Sequence, residues 1–235
     1  MKFKNLLIAL TVVSCLFSGF TSCSDNDDNE KAPIIGTWNL KTTTNEAGVK
    51  VADMITDFEF GEDGAVLGAI IEGALAQYGV NGEGLAKKID YVKAQFQEDG
   101  KVNISFKETG ASQETNLSKF VDLHYYTSVD GKVVYIGVEK EVVAELLPLL
   151  GSNIDASKLL SILVESDKYY SIPLNLEIEN NYAKFYLKKD YLAKVATVVG
   201  EMGLLPEGFD FIPEWLQELS ENKDVKLDVG LGFIK

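Results

Sequence analysis

The feature that most constrains the fold is an alternation of apolar and polar residues that recurs from residue 92 to the C-terminus. Such a period of two places alternate side chains on opposite faces of a β-strand. Between two such runs lies Asp99-Gly100, and a strand, an Asp-Gly turn and a second strand form a strong β-hairpin signal. The apolar members of the two runs are Val92, Ala94 and Phe96, then Val102, Ile104 and Phe106.

The same unit recurs around Asp130-Gly131 and around the turn 179–181, and the chain ends on one more alternating run, 225–235. With the segments 34–43 and 57–65, this predicts about nine strands. Antiparallel strands with one apolar face need a partner sheet or closure on themselves, and closure also removes exposed edges. We therefore predict a mainly β (α+β) fold, an antiparallel barrel of about eight to nine strands, in preference to a sandwich.

Helices are predicted between the hairpins, because apolar residues recur there at i and i+4. The segments are 65–78, 141–151, 156–164, 191–203 and 212–220. If the barrel encloses a cavity, the first of these helices and the segment 146–163 are the candidates for its mouth. The candidate ligand-binding residues are Val66, Leu67, Ile70, Ile71, Leu75, Tyr78, Leu146 and Leu163.

The first 22 residues have the pattern of a secretory signal peptide: Lys2 and Lys4, then an uncharged run from Leu6 to Phe20. That run is shorter than the roughly 20 apolar residues that a permanent membrane helix needs. Thr21 and Ser22 lead into Cys23, and this junction resembles a bacterial lipobox. The resemblance implies cleavage before Cys23 and lipidation, including palmitate, on Cys23. The alternative is ordinary secretion with cleavage near Ser22.

Residues 23–33 are acidic and carry no large apolar side chain, so we predict a disordered tether before a single domain at 34–235. The tether fails as an EF-hand calcium loop, since Glu30 stands where that loop needs Gly and Gly36 where it needs Glu. It resembles the acidic export signal of lipoproteins that Bacteroidota place on the outer face of the outer membrane.

Charge and composition exclude several functions. The chain has no arginine, and removal of the signal peptide leaves 20 lysines against 36 carboxylates, a net charge of −16. That balance argues against binding to nucleic acid and against a polybasic membrane face. The only cysteines are Cys15 and Cys23, so the domain has no disulfide, cysteine nucleophile or cysteine-ligated zinc. The only histidine, His124, lies in the polar register of its strand, so we predict no metal site, no cofactor and no enzymatic activity.

A family resemblance rests on Gly36-Thr37-Trp38 within the segment 34–43. A Gly-x-Trp near the start of the first strand resembles that of lipocalins and other calycins. With the lipobox, the acidic tether and the hairpins, the chain resembles the lipocalin-like lipoproteins of Bacteroidota. The resemblance implies a calycin-type barrel whose bottom Gly36 and Trp38 close, and a location in the outer membrane, at the cell surface rather than in the periplasm.

Two functions remain open on these grounds. The first is a lipid-anchored protein that binds a small apolar ligand. The second is a structural or protein-interaction module with a filled barrel, whose partner is another surface protein. A cavity of several hundred cubic ångströms would favour the first function, and an exposed apolar patch would favour the second.

Overall fold

The computed structural model describes residues 33–59, 73, 81–150, 155–205 and 210–235. Within these ranges it has thirteen strands, five α-helices and two 3₁₀ turns, at Leu117–Lys119 and Leu147–Leu150. The strands are β1 Gly36–Leu40, β2 Thr42–Thr44, β3 Lys50–Ala52, β4 Met54–Glu59, β5 Ile89–Phe96, β6 Val102–Glu108, β7 Thr115–Asn116, β8 His124–Thr127, β9 Val133–Glu139, β10 Val164–Glu165, β11 Tyr169–Glu179, β12 Tyr182–Lys188 and β13 Lys226–Ile234. The helices are α1 Gly82–Lys88, α2 Lys140–Leu146, α3 Ala156–Ile162, α4 Lys189–Glu201 and α5 Ile212–Glu221.

One antiparallel sheet dominates the fold, with nine strands in the order β7-β6-β5-β1-β13-β12-β11-β9-β8. Strand β4 also pairs with β13, strand β10 pairs with β11, and β2 and β3 form a separate hairpin. The three predicted hairpins are confirmed as β5–β6, β8–β9 and β11–β12. Their turns contain Gly100, Gly131 and Asn180, each at positive φ, the backbone region that Gly and Asn tolerate best.

The sheet is curled into an antiparallel half-barrel, so that β6, near one end of the strand order, approaches β8 at the other end. Lys101, just before β6, forms an isolated antiparallel bridge with His124 of β8. Two backbone hydrogen bonds flank this bridge, from Val102 N to the Leu123 carbonyl (3.0 Å) and from Tyr125 N to the Gly100 carbonyl (2.7 Å). The prediction of a mainly β, antiparallel fold with helical insertions is therefore confirmed, whereas the strands described form a half-barrel and not the closed barrel that we predicted.

The two ends of the half-barrel differ. At the hairpin end lie the tight turns 97–101, 128–132 and 179–181 and the C-terminal residue Lys235. At the opposite, helical end, every described helix adjoins a strand: α1 precedes β5, α2 follows β9, α3 precedes β10, α4 follows β12 and α5 precedes β13. The registers Tyr169↔Glu139 and Lys188↔Asp228 place several of these junctions side by side.

The concave side of the sheet is filled by apolar side chains. Phe96 and Phe185 stack at 5.9 Å between ring centroids, and Phe185 meets Phe233 edge-on at 5.4 Å. Partly buried residues of α1 and α4 pack against the same cluster at the helical end. The best-buried members are Ile34, Trp38, Val92, Phe96, Val102, Ile104, Val134 and Leu174.

Four of the five predicted helices occur near their expected positions, as α2 to α5. The predicted helix 65–78 lies outside the described residues apart from Gly73. Helix α1 has no counterpart among the predictions. It begins after Asn81, whose side-chain carbonyl accepts a hydrogen bond from Gly84 N (2.7 Å), a typical N-cap that offsets the low helix propensity of Gly82 and Gly84.

Candidate functional site

Trp38 lies at the hairpin end of the apolar cluster and is completely buried. Its indole Nε1 donates a hydrogen bond to the Ile34 carbonyl (2.7 Å), which folds the segment before β1 back against the ring. The Lys235 Nζ lies 4.9 Å from the Trp38 ring centroid and also donates to the Pro33 carbonyl (3.2 Å). Pro33 and Ile34, before β1, and Lys235, after the last strand, thus meet at Trp38.

Gly36 occupies a position where another residue would be strained. Its φ is +131°, and a Cβ there would lie 2.8 Å from Lys235 Cε. Glycine therefore permits both the backbone conformation and the approach of Lys235. The contact between Lys235 and Trp38 is absent from our predictions, because residues 197 positions apart share no local sequence signal.

The helical end contains the two described residues among the predicted ligand contacts. Leu146 is the last residue of α2 and is 39% exposed. Leu163 caps the C-terminus of α3 and is half-buried. The other six candidates, Val66, Leu67, Ile70, Ile71, Leu75 and Tyr78, lie outside the described residues.

Two further apolar side chains are exposed at this end, Leu204 (46%) and Phe211 (62%). They flank the connection between α4 and α5, two helices that pack closely, since a Cβ on Gly200 would lie 2.8 Å from Pro213 Cγ. Helix α4 is also tied to α3, because the Tyr191 hydroxyl donates to the Ile162 carbonyl (2.9 Å) and Lys158 pairs with Glu201 (2.8 Å). The segment 203–213 is rich in apolar residues, which could have indicated apolar surface here, but these residues lack helical periodicity.

A groove of about 510 Å³ lies between α4 and α5. It is lined by Asp190, Lys194, Thr197, Val198, Gln217 and Ser220. Since five of these six side chains are polar, the groove does not suit an apolar ligand.

The outer face of β8, β9 and β11 carries an aromatic cluster around Gly137. The ring of Tyr126 stacks on Tyr135 (4.6 Å) and its hydroxyl lies 2.9 Å from Ser171 Oγ, while His124 contacts Tyr169 (5.0 Å). A Cβ on Gly137 would lie 2.3 Å from Ser171 Oγ. Ser171, which the Tyr126 hydroxyl contacts, therefore occupies the space that a side chain on Gly137 would need.

Several of the described carboxylates on the sheet surface form ion pairs with lysines. Asp57 of β4 and Asp228 of β13 are register partners, and Lys226 Nζ lies 2.5 Å from Asp57 and 3.9 Å from Asp228. Burial raises the pKa of Asp228 above its ordinary value, although Lys226 opposes this shift. Within the described ranges, no group of three or more His, Cys, Asp and Glu side chains is arranged to hold a metal ion.

Among the helices that the structure describes, none is long and apolar enough to cross a membrane. Comparison of the chain with known protein families, with curated proteins and with solved structures returned no match.

Proposed function

We propose that this protein is a lipid-anchored, surface-exposed protein of the outer membrane whose calycin-type barrel binds a small apolar ligand at its helical end. The observation that carries the proposal is the difference between the two ends. At the hairpin end Lys235 covers Trp38, and the exposed apolar residues Val129 and Ile234 lie in a turn and at a strand end, whereas Leu146, Leu204 and Phe211 expose apolar surface on and between the helices. The proposal assigns no catalytic residue.

The position of the ligand follows from packing. The concave side near Trp38 is occupied by side chains such as Phe96 and Phe185, which expose 5% or less of their surface. A ligand of drug-like size needs a pocket of roughly 300 to 1,000 Å³. The proposed ligand therefore contacts the helices and the strand ends that adjoin them, rather than the cluster around Phe96 and Phe185 inside the half-barrel.

A closed barrel is the second part of the proposal. The bridge between Lys101 and His124 supports closure between β6 and β8. The connection 109–123 covers the remaining gap, with Leu117 and Leu123 packed against the apolar cluster. Closure would give a barrel of eight strands, with β7 lying across the junction between β6 and β8, here called the seam. A barrel of eight strands agrees with the calycin resemblance that rests on Gly36 and Trp38.

The anchor would hold the protein by its hairpin end. The described chain starts at Pro33, whose carbonyl accepts from Lys235 at that end. The ten residues between Cys23 and Ile34 span at most about 35 Å when fully extended. Lipidation at Cys23 would therefore keep the hairpin end close to the membrane, with the helical end on the opposite side of the domain.

Replacement of Cys23 with serine tests the anchor. The variant should lose incorporation of labelled palmitate and should move from the membrane fraction to the soluble fraction, since the acyl chains provide the proposed membrane affinity. Cys15→Ser is the matched control and should remain in the membrane fraction. Unchanged membrane retention of the Cys23→Ser protein would contradict lipid anchoring.

A filled barrel that binds another surface protein is the second candidate function. The density of the apolar cluster around Trp38 favours it, because a carrier would normally keep space inside its barrel. The exposed apolar side chains Leu146, Leu204 and Phe211 also suit contact with a protein partner. The two candidates differ in one observable property: a carrier co-purifies with an apolar molecule at a ratio near one to one, and an interaction module does not.

A further inference from the structure

The part of the half-barrel wall between β6 and β9 differs from the rest in burial. Residues 107–133, all of which the structure describes, include none that is fully buried, and this is the longest such unbroken stretch among the described residues. The stretch contains β7, the 3₁₀ turn Leu117–Lys119 and β8. Segments with few buried apolar contacts open at a lower free energy than the core strands of the same protein.

Glycines bound this stretch on both sides. Gly110 (φ +81°) follows β6, and Gly131 (φ +67°) precedes β9. A Cβ on either glycine would meet no described atom within 4 Å. Glycine adopts such φ values readily, so Gly110 can act as a hinge where the chain leaves β6, whereas Gly131 lies in the β8–β9 turn and donates a hydrogen bond to the Ser128 carbonyl (2.8 Å).

Few contacts join the stretch to the neighbouring strand β6. Strand β7 pairs with β6 at only two positions, Ser105↔Asn116 and Phe106↔Thr115. Strand β8 meets the start of β6 at the Lys101–His124 bridge, which two backbone hydrogen bonds flank, and Ser118 Oγ in the 3₁₀ turn donates to Asn103 Oδ1 of β6 (2.7 Å). The Lys101–Asp122 ion pair (3.8 Å) is exposed on both sides, and such pairs stabilise little.

Tyr125 makes the main side-chain contacts between this stretch and the β5–β6 hairpin. Its ring meets Phe96 edge-on at 5.0 Å, and its hydroxyl donates to the Gln97 carbonyl (2.7 Å) in the β5–β6 turn. Burial raises the pKa of Tyr125 to about 12, so the hydroxyl keeps its proton and donates at neutral pH.

We infer that residues 110–131 form a movable wall that swings away from β6 about its β8–β9 edge, with β8 still paired to β9 and with β5, β9, β11, β12 and β13 in place. Opening would uncover the apolar cluster where Leu117, Leu123 and Tyr125 now touch it. A small molecule could then enter the filled interior through the opening between β6 and β8. The motion itself is a property of the fold and stands whether or not the proposed ligand exists.

Native-state hydrogen exchange combined with a reversible disulfide lock tests the inference. Lys101 and His124 are a non-hydrogen-bonded pair, for which the Cα atoms lie about 4.5 Å apart, within the range of a disulfide. The lock is Lys101→Cys with His124→Cys in the full chain carrying Cys15→Ser and Cys23→Ser, so that no other thiol is present. The control lock joins the register partners Glu177 and Lys184, both changed to cysteine, on β11 and β12.

In the reduced protein, we expect the amides of 115–123, and the Tyr125 amide that bonds to the Gly100 carbonyl, to exchange at least about 100-fold faster than those of β11, with a weaker dependence on denaturant. Oxidation of the seam lock should slow the wall amides at least about tenfold more than the β11 amides, and reduction should restore the difference. The control lock should not slow the wall selectively.

Three results would overturn the inference. Wall and β11 amides could exchange with the same free energy and the same denaturant dependence, which would mean that the wall opens only on global unfolding. The seam lock could slow both groups equally. The cysteine pair could also fail to form a disulfide under oxidation while the control pair forms one, which would contradict the Lys101–His124 bridge and with it the closed position from which the wall is inferred to open.

Discussion

Replacement of Trp38 with alanine should lower the free energy of unfolding by about 4 kcal/mol, a large part of the 5 to 15 kcal/mol typical of a domain. The side chain is completely buried, so its removal loses the transfer free energy of the indole and leaves a cavity among Ile34, Phe96 and their neighbours. The change also removes the hydrogen bond to the Ile34 carbonyl and the surface under the Lys235 ammonium group. Urea denaturation followed by circular dichroism measures the effect.

Trp215→Ala is the matched control, because it removes the same side chain from a partly buried position on α5. We expect it to cost about 1 to 2 kcal/mol, in proportion to the smaller apolar area that is lost. An equal effect of both substitutions would contradict the closing role of Trp38. A loss below about 1 kcal/mol for Trp38→Ala would do so as well.

Replacement of Gly230 with alanine should cost about 3 kcal/mol. Gly230 lies in β13 opposite Tyr186 of β12. An added Cβ would lie 2.1 Å from the Phe185 carbonyl oxygen and 2.5 Å from the Tyr186 Cα, and both are backbone atoms that cannot rotate away. Because β12 and β13 are central strands, we expect the whole sheet to respond, with a lower midpoint in the same denaturation experiment.

Gly203→Ala separates this steric effect from the loss of glycine itself. Gly203 has φ +65° and no described atom within 4 Å of an added Cβ, so alanine there is expected to cost only about 1 kcal/mol of backbone strain. If both alanine variants were equally stable, the close approach of β12 and β13 at Gly230 would be wrong.

Local sequence patterns predict much of the secondary structure. The alternation around Val102 and the Asp-Gly turns are sufficient for the three hairpins, because a hairpin needs only neighbouring residues and a turn of the right type. The helices α4 and α5 follow from i, i+4 periodicity in the same way.

Contacts between distant segments could not be predicted. Strand β1 lies between β5 and β13, and β4 pairs with β13 across about 170 residues of chain, as the Lys226–Asp57 contact shows. The sequence gives each strand an apolar face but does not give the order of the strands in the sheet. The same applies to Lys235 over Trp38 and to the exposure of Leu204 and Phe211.

The candidate site is less predictable than the fold. Leu146 and Leu163 were selected for apolar periodicity, and the structure places both at the helical end. Periodicity cannot tell a side chain that lines a ligand site from one that packs against a neighbouring helix. Leu204 and Phe211 lie outside any periodic segment, so only their exposure in the folded chain draws attention to them.

Native mass spectrometry with lipid extraction tests the central claim most directly, using the full-length protein purified in detergent from the membranes of its own host. We expect an apolar molecule bound at a ratio near one to one, with weaker retention in Leu146→Lys at the helical end. Val129→Lys, at an exposed apolar residue of the hairpin end, should retain the ligand. A clean ligand-free mass, with no change in melting temperature across a panel of fatty acids and bile acids, would contradict the claim and favour the interaction module.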